Sequence, residues 1–145
     1  MICYLDTSAL VKLYVAEEGN STVHQHLESA ALVATSKVAY PEACAAFARS
    51  FREDCLIEKA YKKALANFKS EWPSYYILEF TDSVMIKAGE LAEKYSLRGF
   101  DAIHMASALT LSDYLSGKDK ETIVVGCWDK KLAEAFKLAG LAVFP

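Results

Sequence analysis

Apolar positions come in two rhythms along this chain. Short apolar or β-rich runs at residues 2–5, 30–35, 75–80, 122–125 and 141–144 alternate with longer stretches in which apolar residues recur every three or four positions. The first rhythm belongs to strands buried on both faces and the second to amphipathic helices. After the first run, Asp6-Thr7-Ser8 turn the chain into a helix carrying Leu10, Val11, Leu13 and Tyr14, and Gly19-Asn20-Ser21 start another with Val23 and Leu27. A helix is expected over 38–55, with Ala39, Ala43, Ala46, Phe47, Ser50 and Phe51 on one face and Pro41 in its first turn, where the missing N–H costs nothing. A second runs over 57–72 on Ala60, Tyr61, Ala64, Leu65 and Phe68, until Pro73 stops it. Thr81 or Asp82 caps a helix to Tyr95, Gly99-Phe100-Asp101 lead into one through Leu111, and Asp129 opens a last helix that Gly140 closes. Apolar strands separated by helices predict one three-layer α/β/α domain over residues 1–145, with a mostly parallel sheet of about five strands. In such sheets the binding crevice lies at the carboxyl ends of the strands, near the point where strand order reverses.

Composition narrows the picture. With 53% hydrophobic and 24% charged residues, the chain has the profile of a soluble domain. No apolar run approaches the ~18 residues of a membrane helix. The first run lacks a preceding basic stretch and is followed at once by Asp6, so it does not read as a signal peptide, and the expected location is the cytoplasm. Cys3, Cys44, Cys55 and Cys127 form no Cys-x-x-Cys and have no nearby His pair, which argues against a disulfide framework and a structural zinc site. A net charge of −3 argues against nucleic-acid binding through bulk positive charge, but not against a local basic groove.

The acids carry the chemistry. Asp6 ends the first strand and Asp129 follows the fourth run by a few residues, so a parallel sheet puts both on one edge. Glu42 and Asp101 fall in opening turns of helices among Ala39, Tyr40, Ala43 and Phe100, Ala102, Ile103. Taken singly, each acid is explained as a helix cap or a first-turn residue favoured by the dipole. Taken together, converging carboxylates repel unless a cation joins them, and hard oxygen ligands suit Mg²⁺ or Mn²⁺. Metal-assisted phosphodiester hydrolysis is the chemistry such a set supports.

Three segments at these spacings resemble a known family. Tyr4-Leu5-Asp6-Thr7-Ser8-Ala9-Leu10, then Leu97-Arg98-Gly99-Phe100-Asp101-Ala102-Ile103-His104-Met105-Ala106-Ser107-Ala108, then Trp128-Asp129-Lys130-Lys131-Leu132, with Glu42 between the first two, resemble a PIN domain, most closely the VapC-type toxin ribonucleases. The resemblance implies a Rossmann-like sheet, a Mg²⁺- or Mn²⁺-dependent endoribonuclease, a homodimer, and a cognate antitoxin whose C-terminal segment crosses the active-site groove. It maps the family's acidic set onto Asp6, Glu42, Asp101 and Asp129, with Asp6 and Asp101 as direct ligands and Asp129 reached through water. Ser8 matches the small polar residue that bonds a carboxylate or the scissile phosphate. Cys127 departs from the Thr or Ser common two residues before the last acid, and a thiol is a weak hydrogen-bond partner.

Other residues have narrower readings. His104, one turn after Asp101, reads as a packed, hydrogen-bonded core residue before it reads as a metal ligand. Lys12, Arg49, Arg52, Lys59, Lys62, Lys63 and Arg98 are candidates for a phosphate-tracking groove, with Tyr40, Phe47 or Trp72 for base stacking; Arg49 and Arg52, on the Glu42 helix, are the best placed to meet RNA or antitoxin. Phe47, Phe51, Leu56, Tyr61, Leu65 and Phe68 read as core, or as a hydrophobic clip for a partner helix. A haloacid-dehalogenase-type phosphatase would need a second Asp where Ser8 stands, and a phospho-receiver domain an Asp near Thr35-Ser36. A PIN-fold nuclease of RNA processing without an antitoxin and a catalytically idle binding module are the remaining alternatives.

Overall fold

The first strand, β1 (Ile2–Leu5), is buried at all four residues, as a strand must be when helices cover both its faces. In the computed structural model, which describes residues 1–116 and 121–145, β1 is the middle strand of a five-stranded sheet of order β3-β2-β1-β4-β5. The others are β2 (Leu32–Ser36), β3 (Tyr76–Leu78), β4 (Ile123–Gly126) and β5 (Ala142–Phe144), and every neighbouring pair is parallel. Pleat alternation sends Ile2 and Tyr4 to one face and Cys3 and Leu5 to the other.

Each face has its own core. Helices α5 (Asp82–Tyr95), α6 (Gly99–Leu115) and α7 (Lys130–Leu138) bury Val84, Met105, Leu111, Leu132 and Phe136 around Tyr4. Helices α1 (Thr7–Leu10), α2 (Asn20–Glu28), α3 (Ala39–Arg52) and α4 (Glu58–Glu71) bury Leu10, Val23, Phe47, Ala64 and Phe68 around Cys3 and Leu5. At about 1.5–3 kcal/mol for each large apolar side chain taken from water, these two layers supply most of the drive to fold. Phe47 and Phe68 are therefore core rather than a clip, while Phe51 stays partly exposed and stacks on Tyr61 at 5.0 Å between centroids.

Element boundaries shift by a few residues from the sequence reading. Helix α3 stops at Arg52 because the chain turns through Asp54 at φ 56, with the Cys55 N–H donating to the Ser50 carbonyl at 2.8 Å. Helix α6 continues past Leu111 to Leu115, which packs on the first core. Gly140, at φ 88, closes α7 as expected.

The topology places the crevice. From β1 the chain steps outward to β2 and β3, then crosses back to β4 on the other side of β1. Strand order therefore reverses between β1 and β4, and the turns leaving these two strands part there. The Asp6 N–H still pairs with the Gly126 carbonyl at 3.1 Å, so Asp6 stands at the last rung of that ladder.

Gly126 permits this close approach. A Cβ there would lie 2.7 Å from Phe144 Cζ and 2.8 Å from Leu5 Cδ2. Gly126→Ala is expected to lower the unfolding free energy by about 1–3 kcal/mol through overpacking. Gly89→Ala, in α5 with open space around its Cβ, is expected to raise it by about 0.5–1 kcal/mol. Urea denaturation of both variants checks this, and equal effects would remove the packing argument.

Candidate active site

Asp6 leaves β1 in an extended conformation and caps α1, its Oδ1 accepting the Ala9 N–H at 2.9 Å. The Ser8 hydroxyl donates to the same oxygen at 2.7 Å and accepts the Trp128 N–H at 2.8 Å, which ties the β1 turn to the β4 turn. The Cys127 thiol donates to Asp6 Oδ2 at 3.1 Å. Burial, and then the charge of Asp6, push the Cys127 pKa well up, so the donor stays protonated. The departure at Cys127 thus keeps a bond to the acid, through a weak donor.

Asp6 is only 3% exposed. Among the described residues its hydrogen-bond donors, Ser8, Ala9 and Cys127, are all neutral. Burial raises its pKa, opposed by the charge of His104 and by those three bonds. A buried carboxylate with neutral partners is a site short of positive charge.

The other acids arrive from three helix starts. Asp129 caps α7, accepting the Leu132 N–H at Oδ1 at 2.9 Å. Asp101 lies in the first turn of α6. The Arg98 guanidinium spans the two, with Nε 2.9 Å from Asp101 Oδ2 and Nη2 3.4 Å from Asp129 Oδ2, on a side chain 79% exposed. Glu42, in the first turn of α3, accepts the Thr7 hydroxyl at 2.8 Å and faces His104 Nε2 at 2.8 Å. The other ring nitrogen, Nδ1, meets the Tyr4 hydroxyl at 2.9 Å. The Nε2–H donates to Glu42, and Nδ1 shares its hydrogen bond with the Tyr4 hydroxyl. Burial works against the Glu42 charge, but the hydrogen bond and charge of His104, then Thr7 and Arg98, outweigh it and lower its pKa.

These residues line one cavity of about 520 Å³, which holds Asp6, Ser8, Glu42, Asp101, Asp129, Arg49 and Arg52 together with Thr7, Arg98 and His104. The four acids, Ser8, Arg49 and Arg52 therefore all line the same hollow. His104 is the packed residue expected of it, and it also reaches the cavity and bridges helices from opposite faces of the sheet. Of the wider basic set, Lys12, Lys59, Lys62 and Lys63 do not line the cavity. Lys12 is drawn to Glu17 and the Glu18 carbonyl, Lys62 pairs with Glu58, and the α4 lysines project from a helix that is tied to the core by Ala64 and Phe68. The aromatics named for stacking are also elsewhere: Phe47 is buried, and Tyr40 and Trp72 pack on Phe68. Phe100 is the exposed aromatic beside the acids. Its placement was legible in Gly99-Phe100-Asp101, since a side chain next to a first-turn acid that faces a crevice also starts at the rim.

The donor set suits a hard divalent ion. Asp6, Glu42, Asp101 and Asp129 offer carboxylate oxygens, and among the described residues the buried Asp6 has only neutral hydrogen-bond donors. Among the described residues no three Asp, Glu, His or Cys side chains already stand close enough together to hold an ion. Arg98 occupies Asp101 and Asp129, and Glu42 is turned to His104.

The PIN domain family model matches residues 3–120, and the chain belongs to that family. Ribonuclease VapC45 from Mycobacterium tuberculosis (strain CDC 1551 / Oshkosh) is 35% identical over 144 residues, 99% of this chain and 95% of that protein. The crystal structure of FitAcB from Neisseria gonorrhoeae is similar with a TM-score of 0.69 at 22% identity, over 100% of this chain and 97% of that one. A toxin-antitoxin complex from Klebsiella pneumoniae gives 0.64 at 16% identity, over 99% and 96%.

Removing the bridge across the sheet edge tests its weight. His104→Ala removes the Nδ1 partner of the Tyr4 hydroxyl and leaves a cavity, and is expected to cost about 2–4 kcal/mol of stability. Tyr4→Phe should cost about 1 kcal/mol. In urea unfolding the double variant is expected to lose less than the sum; strict additivity would mean that the two side chains do not support each other.

Proposed function

We propose that this chain is a metal-dependent endoribonuclease, the toxin of a toxin-antitoxin pair, acting on RNA phosphodiesters in the cytoplasm. The observation that carries the reading is the convergence of four acids from strand ends and helix starts on one cavity, where the buried Asp6 has only neutral hydrogen-bond donors among the described residues. A relative 35% identical over nearly the whole chain, named a ribonuclease, supports it. Asp6 and Asp101 would hold Mg²⁺ or Mn²⁺ directly, with Glu42 and Asp129 around them, and the ion would supply the positive charge and water activation that phosphodiester hydrolysis requires.

The chain's own residues do the rest. Ser8 and the Ala9 N–H fix one Asp6 oxygen and leave the other with only the weak Cys127 donor. His104 and Thr7 keep Glu42 ionised and pointed at the cavity. Arg49 and Arg52, both exposed on α3, receive the phosphates that flank the cut. Arg98 neutralises Asp101 and Asp129 through a side chain 79% exposed, and from there it can reach a phosphate of the substrate. An antitoxin segment lying across the cavity would cover the acids and meet the same arginines, a reading supported by fold neighbours solved as toxin-antitoxin complexes. Exposed Tyr76, Phe80, Met85 and Ile86, close in sequence at the β3 edge and the start of α5, offer the apolar face for a homodimer.

The test is incubation of a mixed RNA pool with purified protein in Mn²⁺, in EDTA, and with Asp101→Asn or Asp6→Asn. Cutting is expected in Mn²⁺ alone, falling at least about 10²- to 10³-fold in either variant. Full activity in both variants would remove the site assignment. Mn²⁺ at about 100 times its Kd should stabilise the wild type by about 2.7 kcal/mol, a rise in melting temperature that the Asp6→Asn/Asp101→Asn double variant should lack.

A further inference from the structure

A second hollow of about 490 Å³ adjoins the acid cavity. It is lined by Glu42, Arg98, Gly99, Phe100, Asp101 and Ile103, and it shares Glu42, Arg98 and Asp101 with its neighbour. Arg49, Arg52, Asp6 and Asp129 line only the first hollow, Phe100 and Ile103 line only the second, and Glu42, Arg98 and Asp101 form the wall they share. The second hollow thus adds an apolar surface directly beside two of the acids and a guanidinium.

Phe100 is 54% exposed and belongs to neither core cluster. Among the described residues no aromatic ring packs on it. Its backbone is nevertheless fixed, in the first turn of the 17-residue α6, whose following turns are buried. A rigidly held, solvent-facing ring one residue from an acid of the site, with a guanidinium two residues before it, is the pairing on which unstacked bases lie flat. The hollow is also within the ~300–1,000 Å³ range of small-ligand sites.

Resting on the ribonuclease reading, we propose that this second hollow receives one base of single-stranded RNA next to the phosphate being cut, stacked on Phe100. The ring positions that nucleotide over the acids. Because bases differ in stacking strength, it also biases where the strand is cut. The contact adds no charge, so it strengthens binding without altering its salt dependence.

The experiment uses a short single-stranded RNA that the wild type cuts, together with versions carrying one abasic nucleotide on either side of the cut. An abasic nucleotide at one of the two positions is expected to lower kcat/KM about ten- to hundred-fold. Phe100→Ala should lose a similar factor on intact RNA and little more on that abasic strand. Phe100→Tyr should restore the wild-type rate, and the slope of affinity against salt should stay unchanged. Equal losses by Phe100→Ala on intact and abasic strands, or none on either, overturn the proposal. So does a Phe100→Ala effect confined to self-association in sedimentation, which makes the ring a protein interface.

A second readout needs no turnover. Phe100→Trp, read as a difference against Trp72 and Trp128, should be quenched by mixed-sequence single-stranded RNA and not by a fully abasic strand. Absence of cutting by the wild type together with this quenching counts against the ribonuclease reading and leaves the stacking site standing. Cutting without the quenching counts against the stacking site alone.

Discussion

A sheet whose strands all run the same way sends every strand-to-helix turn to one edge, and a reversal of strand order leaves a gap in that edge. The rest of this molecule depends on that constraint. The reversal falls between β1 and β4, where Asp6 and the turn of Cys127, Trp128 and Asp129 emerge. Helices from both faces start beside it, so Glu42 of α3 and Asp101 and His104 of α6 reach a common hollow although their helices pack in different cores. Like charges are gathered by topology, and the local chemistry has to make that arrangement tolerable.

It does so in two ways that differ in permanence. Around Glu42 the compensation is buried: Tyr4, His104 and Thr7 form a hydrogen-bonded bridge anchored in the central strand and in α6. Opening it would strand polar groups away from water, which makes it structural. Around Asp101 and Asp129 the compensation is the exposed Arg98 side chain. An ion pair so open to solvent contributes little to stability and is readily exchanged for another cation. Among the described residues Asp6 has neither kind of partner. The site therefore has a rigid acid, a buried acid held by neutral donors, and two acids under a movable counter-charge.

Much of this was legible from the chain. Apolar runs between helical stretches imply a parallel sheet, which puts Asp6 and Asp129 on one edge, while Glu42 and Asp101 stand out as helix-start acids in apolar surroundings and join them through the family resemblance. The cap reading of Asp6 and Asp129 holds, since each caps a helix through one oxygen, and both also line the cavity, with the second oxygen met by the Cys127 thiol and by Arg98 respectively. What escaped was direction rather than position. Whether Lys59, Lys62 and Lys63 face the crevice depends on how α4 is rotated against α3, and sequence spacing fixes only which residues share a face. The role of His104 escaped because its partners, Tyr4, Thr7 and Glu42, are distant in sequence and meet only when the two helical layers close on the sheet. Phe100 was read with the apolar surroundings of Asp101, although the first turn of a helix entering from solvent turns one of two adjacent side chains outward.

That last point explains why the apolar hollow sits where it does. Neighbouring positions on a helix lie about 100° apart around the axis, and with Asp101 turned to the crevice from the first turn of α6, Phe100 is left 54% exposed. The choice at position 100 is then between a polar residue, which would leave the second hollow a wet notch, and an apolar one, which makes it a surface with affinity for flat hydrophobic groups. This chain has phenylalanine there, with Arg98 on the same rim. An exposed ring gains little from the core, so what it contributes has to come from whatever lies against it, which under the ribonuclease proposal is a base.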